Sequence, residues 1–258
     1  MKLYWHYVRL QFAAAMEYKT SFVLVCLGQF LVSFNGFLGV YFLFSRFHSV
    51  KGWSYEEILL CFGIVLLQYS LAECFARGFD GFAGILGNGQ FDRILLRPRS
   101  TILQVLGTRM EFTRIGRMVQ AVVMFVYGLS RCRVEWTLGK GLVLALMLLC
   151  GSFVFAGLFL IYAALCFFTT EGLEFMNIFT DGAREYGRYP IDVFGKRILR
   201  FCTFVVPYAL IQYYPLRFVL DRGARWYYGL LPLLSLLFLL PCYGLYCLGR
   251  RHYRSTGS

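Results

Sequence analysis

Three stretches of this chain run far enough without a charge to fix its class. Thr20 to Ser45 is 26 residues, Gly141 to Thr170 is 30 and Trp226 to Gly249 is 24, and none holds Lys, Arg, Asp, Glu or His. A helix rises about 1.5 Å per residue, so about 18–20 such residues cross a hydrocarbon core of about 30 Å. Composition agrees: charged residues make up 16% of the chain and hydrophobic ones 59%, against roughly 25% charged in soluble domains. A disordered chain is excluded, and a soluble globule does not fit. The sequence predicts an all-α polytopic membrane protein.

Shorter runs add three spans. Ile58 to Ala72 is uncharged, Phe201 to Leu216 is 16 uncharged residues, and Met118 to Ser130 is 13. The last is too short by itself, so its helix must extend back through Arg117, Arg114 and Glu111, whose charges must then avoid lipid. The expected spans are 20–45, 57–77, 104–130, 139–168, 198–216 and 226–249, in one domain over 1–258. Six spans put both termini on one side. With the termini inside, 18 basic residues fall inside and 8 outside, so the positive-inside rule places the termini in the cytosol. Trp53, Trp136 and Trp226 then mark outer ends, as an aromatic belt would. The net charge of +12 belongs to these loops rather than to nucleic acid. Most of the nine cysteines lie in apolar segments and no CxxC occurs, so they read as small hydrophobes.

Before the first span, Lys2, His6, Arg9 and Glu17 form one polar stripe over residues 1–19, and Leu3, Trp5, Tyr7, Val8, Leu10, Phe12 and Met16 fill the rest. This is the pattern of an amphipathic helix on the inner leaflet; a cytosolic extension of the first span is the alternative.

The inner connection 78–101 is unusual. Gly78, Gly81, Gly84 and Gly87 recur every third residue and Gly89 comes next, with Phe79, Phe82, Ile85 and Leu86 between them. Each glycine costs a helix about 1 kcal/mol against alanine, so a free helix here would be marginal. Pro98 ends the pattern, and Ser100 or Thr101 can cap the next helix. Two readings stand: a bent helix presenting apolar knobs to a cytosolic protein, its glycines allowing close backbone approach, or a self-packed re-entrant turn. The second inner connection, 171–197, is broken by Gly182, Gly187 and Pro190 and ends in Lys196, Arg197 and Arg200.

Catalytic chemistry is hard to place on this sequence. The nearest approach to a P-loop, Gly84 to Gln90, has Gln where lysine is needed, and HExxH and GxSxG do not occur. The histidines, His6, His48 and His252, lie outside the spans and far apart. Asp80 and Asp92 are too few for a metal-dependent headgroup transferase. No catalytic residue, metal ligand or cofactor is expected on the chain. Within the spans, Asn35 and Gln68 read as interhelical hydrogen bonders or as part of a translocation path. Glu73 is expected to pair with Arg77 one turn on, and Glu111 with Arg114. That pairing weakens an ion-coupled carrier, which wants a free acid in the membrane. A non-transporting scaffold remains a further alternative.

Four pieces together resemble the six-span permeases of ABC-2 type (type V) exporters. They are the charged helix before the first span, GILGNGQFDRILLRPRS, RYPIDVFGKRILRFCTFVVPYALIQYYP, and the terminal YRSTGS from Tyr253. The resemblance implies a multi-pass permease in a bacterial inner membrane, paired with a second permease, identical or homologous. Two copies of a separate ATP-binding subunit would bring ATP and magnesium. Phe82, Ile85, Leu86, Phe91, Asp92, Arg93 and Arg97 would form the coupling helix, and Asn35, Gln68, Glu73, Glu111 and Arg114 the polar lining of a path. Export of a small hydrophobic or cationic compound, a peptide or a lipid is the implied activity.

Overall fold

The computed structural model describes residues 2–132, 134–169, 174–223 and 225–254. Among these the elements are helical, apart from one isolated bridge between Val50 and Trp53. In chain order they are α1 (Lys2–Glu17), α2 (Lys19–Arg46), α3 (Tyr55–Ala76), α4 (Phe82–Gly87), α5 (Gln90–Leu95), α6 (Thr101–Thr108) and α7 (Ile115–Arg131). Then come α8 (Leu138–Thr169), α9 (Asp181–Tyr186), α10 (Lys196–Phe204), α11 (Tyr208–Ile211), α12 (Tyr213–Val219), α13 (Leu231–Ser235) and α14 (Leu239–His252).

The axis of the bundle is α3. Every residue from Ile58 to Ser70 is buried, as expected of a helix apolar on all sides. Its start is fixed by a capping box: Glu57 N donates to Ser54 Oγ (3.4 Å) and Ser54 N to Glu57 Oε2 (2.8 Å). The neighbours of α3 are α7 and α8; α2 lies against α7, and α14 against α8. The α2–α7 contact depends on Gly116, because a Cβ there would sit 1.9 Å from the Cys26 carbonyl oxygen. Small residues at such crossings let helix backbones approach closely.

The bundle has two distinguishable ends. At one, Arg222 pairs with Glu57, Lys140 with Asp221, and the Trp53 indole donates to Asp192 Oδ1 (3.2 Å). At the other, Tyr4 Oη donates to the Phe75 carbonyl, Gln11 to those of Gly107 and Thr108, and Tyr253 Oη to Asp92 Oδ1. Both ends of the described chain therefore lie at the second end. Tyr18 breaks the helix between α1 and α2 (φ −109°, ψ 71°), so α1 is a separate helix packed on α6 and not an extension of α2.

Four helical stretches are long and apolar enough to cross a membrane: Lys19–Arg46, Tyr55–Gly87, Leu138–Thr169 and Trp226–His252. The other two predicted spans need correction. The expected helix over 104–130 is interrupted between α6 and α7 at Arg109 to Glu111, where charge pairing replaces helical hydrogen bonding. The expected helix over 198–216 is a hairpin. α10 starts just past Asp192, beside Trp53, and brings Phe201 against Phe179; α11 and α12 then return, so that Tyr213 again lies near Trp53.

The 171–197 connection is not gathered at the Tyr253 end, as the sequence suggested. Its described part climbs along α3. Tyr69 Oη donates to Asp181 (2.7 Å), Arg188 stacks on Phe62 and Asp192 meets Trp53. Irregular backbone at this depth survives only where protein satisfies it. Here Gln212 Nε2 donates to the Gly187 (2.6 Å) and Tyr189 (3.1 Å) carbonyls, and Gln68 Nε2 to those of Met147 (2.9 Å) and Ile211 (3.2 Å). Arg184 and Arg188 therefore enter the bundle, and Lys196 and Arg197 lie just past Asp192 toward the Trp53 end, which narrows the charge asymmetry between the two ends.

Candidate functional site

A cluster of charges holds the end of α3 to the start of α7. The Glu73 side chain is 1% exposed. Its carboxylate pairs with Arg77 and Arg117 and lies 3.3 Å from Arg114 Nε. Glu111, in the break before α7, receives Arg109 Nη2 (2.7 Å) and Arg114 Nη2 (2.5 Å), and Arg77 Nε reaches Asp80 Oδ2 (3.1 Å). Arg117 Nη2 also donates to Gln29 Oε1 on α2 (2.7 Å). One network thus ties α2, α3 and α7 to the residue that opens the 78–101 connection. Glu73 carries the i,i+4 pair with Arg77 that its spacing predicts, and Glu111 the pair with Arg114. With three guanidiniums on it, Glu73 is the hub of this charge cluster.

The 78–101 connection lies across the Tyr253 end as α4 and α5, joined at Gly89 in the left-handed region (φ 63°). Phe82, Ile85, Leu86 and Phe91 are all buried. Phe82 meets Phe91 (5.4 Å between centroids), Phe167 (4.9 Å) and Tyr246 (6.3 Å), and Phe91 meets Tyr253 (5.0 Å). The apolar knobs therefore clamp the segment to α8 and α14, and are not displayed to a partner. The reason is energetic: burying a large apolar side chain against the bundle is worth about 1.5–3 kcal/mol, which offsets the glycines' weak helix propensity. Nothing lies within 4 Å of a Cβ built at Gly81, Gly84 or Gly87; the close approach is confined to Gly78, 2.2 Å from the Val105 carbonyl. The outward side of the segment carries Asn88, Gln90, Arg93, Leu95, Leu96 and Arg97, with Leu96 85% exposed. Asp92 sits between the two sides and accepts the Tyr253 hydroxyl; burial first, then this carboxylate, raise that hydroxyl's pKa.

The remaining predicted site residues separate. Gln68 is buried as interhelical glue. Asn35 is exposed on α2, away from the charge cluster. Only Glu73, Glu111 and Arg114 come together.

A family model described as ABC-2 family transporter protein matches residues 30–257. This chain belongs to that family. The match covers the charge cluster, the α4–α5 segment and the hairpin alike. No curated protein and no solved structure matches the chain.

Within this ABC-2 transporter chain, several residues escape a reading of the sequence. Arg117 reads there only as a charge to keep out of lipid, yet it is 4% exposed at the centre of the network. Phe167, Tyr246 and Tyr253 clamp the α4–α5 segment, and nothing in their local sequence marks them. Gln212 carries a usable signal: it is an amide inside an apolar run flanked by Pro207 and Pro215, where broken backbone needs side-chain donors. Arg184 and Arg188, one helical turn apart, read as loop anchors.

Proposed function

We propose that this chain is the permease subunit of an ATP-driven exporter, working with a separate ATP-binding subunit. α7 and the 174–219 region complete six crossings, with both termini in the cytosol of a bacterial inner-membrane protein. Two copies of the ATP-binding subunit, with their ATP and magnesium, dock on a pair of permeases, identical or homologous. The cargo is a small hydrophobic or cationic compound, a peptide or a lipid.

One observation carries this reading. The α4–α5 segment is clamped to α8 and α14 on one side by Phe82 and Phe91, and on the other presents Arg93, Leu96 and Arg97 to solvent. A partner pushing on that outer side moves the ends of two membrane helices. Through Arg77 the same push reaches Glu73, Arg117 and α7. An ion-coupled carrier is less well supported, because Glu73 is occupied by three guanidiniums.

Arg93→Glu and Leu96→Asp test the docking side. Both change exposed side chains, so elution and melting of the detergent-solubilised chain should match the unaltered protein. Each should abolish co-purification of the ATP-binding subunit. Retained association in both would overturn the docking assignment.

A further inference from the structure

Halfway along α3 a narrow crevice opens between α2, α3, α7 and the α9 segment. Its walls include Ser33, Phe62, Arg117, Arg184, Glu185 and Arg188. Three guanidiniums and one carboxylate line it. Glu185 serves both Arg184 (2.9 Å) and Arg188, while Arg117 is held from behind by Glu73 and Arg184 faces Asp181 at 3.9 Å. Two polar atoms of the walls, Ser33 Oγ and Arg188 Nε, are buried with no hydrogen-bond partner. A buried unpaired donor is costly and rare in a finished structure. The guanidinium of Arg188 lies on the Phe62 ring (5.3 Å) and is admitted by Gly36: a Cβ there would be 2.9 Å from Nη2. The Glu185 side chain is 47% exposed at this depth. A carboxylate does not face lipid there, so this side of the chain borders water or protein.

We infer that this crevice is an oxyanion subsite of the transport path: a carboxylate or phosphate carried by an amphipathic cargo docks on Arg184 and Arg188, with Ser33 Oγ donating. Arg suits this role because its planar fork matches both oxyanions. Glu185 occupies the guanidiniums when no cargo is present, and a bound oxyanion takes its place. The inference rests on the chain being a permease, and it selects cargo bearing an anionic group over cationic compounds.

The test uses the full chain in nanodiscs of neutral phosphatidylcholine, titrated by thermophoresis with decanoate, decyl phosphate, decyltrimethylammonium and inorganic phosphate. Decanoate and decyl phosphate should bind at least about tenfold tighter than the cation, and Arg184→Gln with Arg188→Gln should remove that preference. Arg188→Lys should keep part of it. Ser33→Ala, which alters no charge, should weaken both anionic probes and serves if the double variant does not fold. Equal binding of cation and anions, or an unchanged preference in the double variant and in Ser33→Ala, would overturn the subsite. Inorganic phosphate binding as tightly as decyl phosphate would make it a free-anion site and overturn the cargo assignment. Co-purification of the ATP-binding subunit is scored on the same preparations. A chain that keeps that partner but shows no anion preference loses this inference alone; anion preference without the partner strikes the permease reading instead.

Discussion

Replacing Glu73 with glutamine keeps the shape of the side chain and removes the charge on which three arginines converge. The Glu73 side chain is 1% exposed, and Arg77, Arg114 and Arg117 surround its carboxylate. Without it, four guanidiniums of the cluster, those of Arg77, Arg109, Arg114 and Arg117, share only Asp80 and Glu111. Breaking a buried ion pair from one side costs about 3–5 kcal/mol, because the partner charge stays buried. A chain of this size loses about 2–4 °C of melting temperature per kcal/mol, so Glu73→Gln should melt roughly 6–20 °C lower. Removing one guanidinium together with the carboxylate, in Glu73→Gln with Arg117→Gln, should recover roughly half of that loss. Fluorescence-detected size exclusion of the heated, detergent-solubilised chain measures both. A Glu73→Gln protein that melts within about 2 °C of the unaltered chain refutes the structural-hub account. If that same protein has lost transport driven by an ion gradient, Glu73 is a proton carrier instead.

Two further substitutions probe the packing. Phe82→Asp puts a carboxylate among Phe91, Phe167 and Tyr246; the yield of monodisperse protein should collapse, whereas a stable protein that has lost only its ATP-binding partner would mean that the apolar side is the docking side. Gly116→Ala drives a methyl group into the Cys26 carbonyl of α2; overpacking of this kind costs about 1–3 kcal/mol, and an unshifted melting curve would contradict the close α2–α7 crossing.

Features that depend on long, uninterrupted chemistry are legible in the sequence. α2, α8 and the Trp226–His252 stretch come from charge-free runs, and α3 from Ile58 to Ala72. Pairings set by helical spacing, Glu73 with Arg77 and Glu111 with Arg114, are legible too. The break at Arg109 to Glu111 is not, because the sequence demands a longer third helix while the fold satisfies those charges with Glu73 of α3 and with Arg77 just past its end. The 174–219 region is misplaced for a related reason. Its arginines and prolines read as a loop, and the donors that let irregular backbone enter the bundle, Gln68 and Gln212, act across more than twenty residues of sequence. The apolar residues of the 78–101 connection stand out in the sequence, but spacing cannot tell whether a phenylalanine points at a partner or at its own bundle. That depends on Phe167, Tyr246 and Tyr253, far along the chain.

The central claim is that this membrane chain works with a separate ATP-hydrolysing partner. Purifying the chain from its native membrane in mild detergent, with mass spectrometry of the proteins that accompany it, tests that claim directly. The account predicts a stoichiometric protein carrying a P-loop, lost on Leu96→Asp. The chain recovered alone, stable and monodisperse, would contradict it.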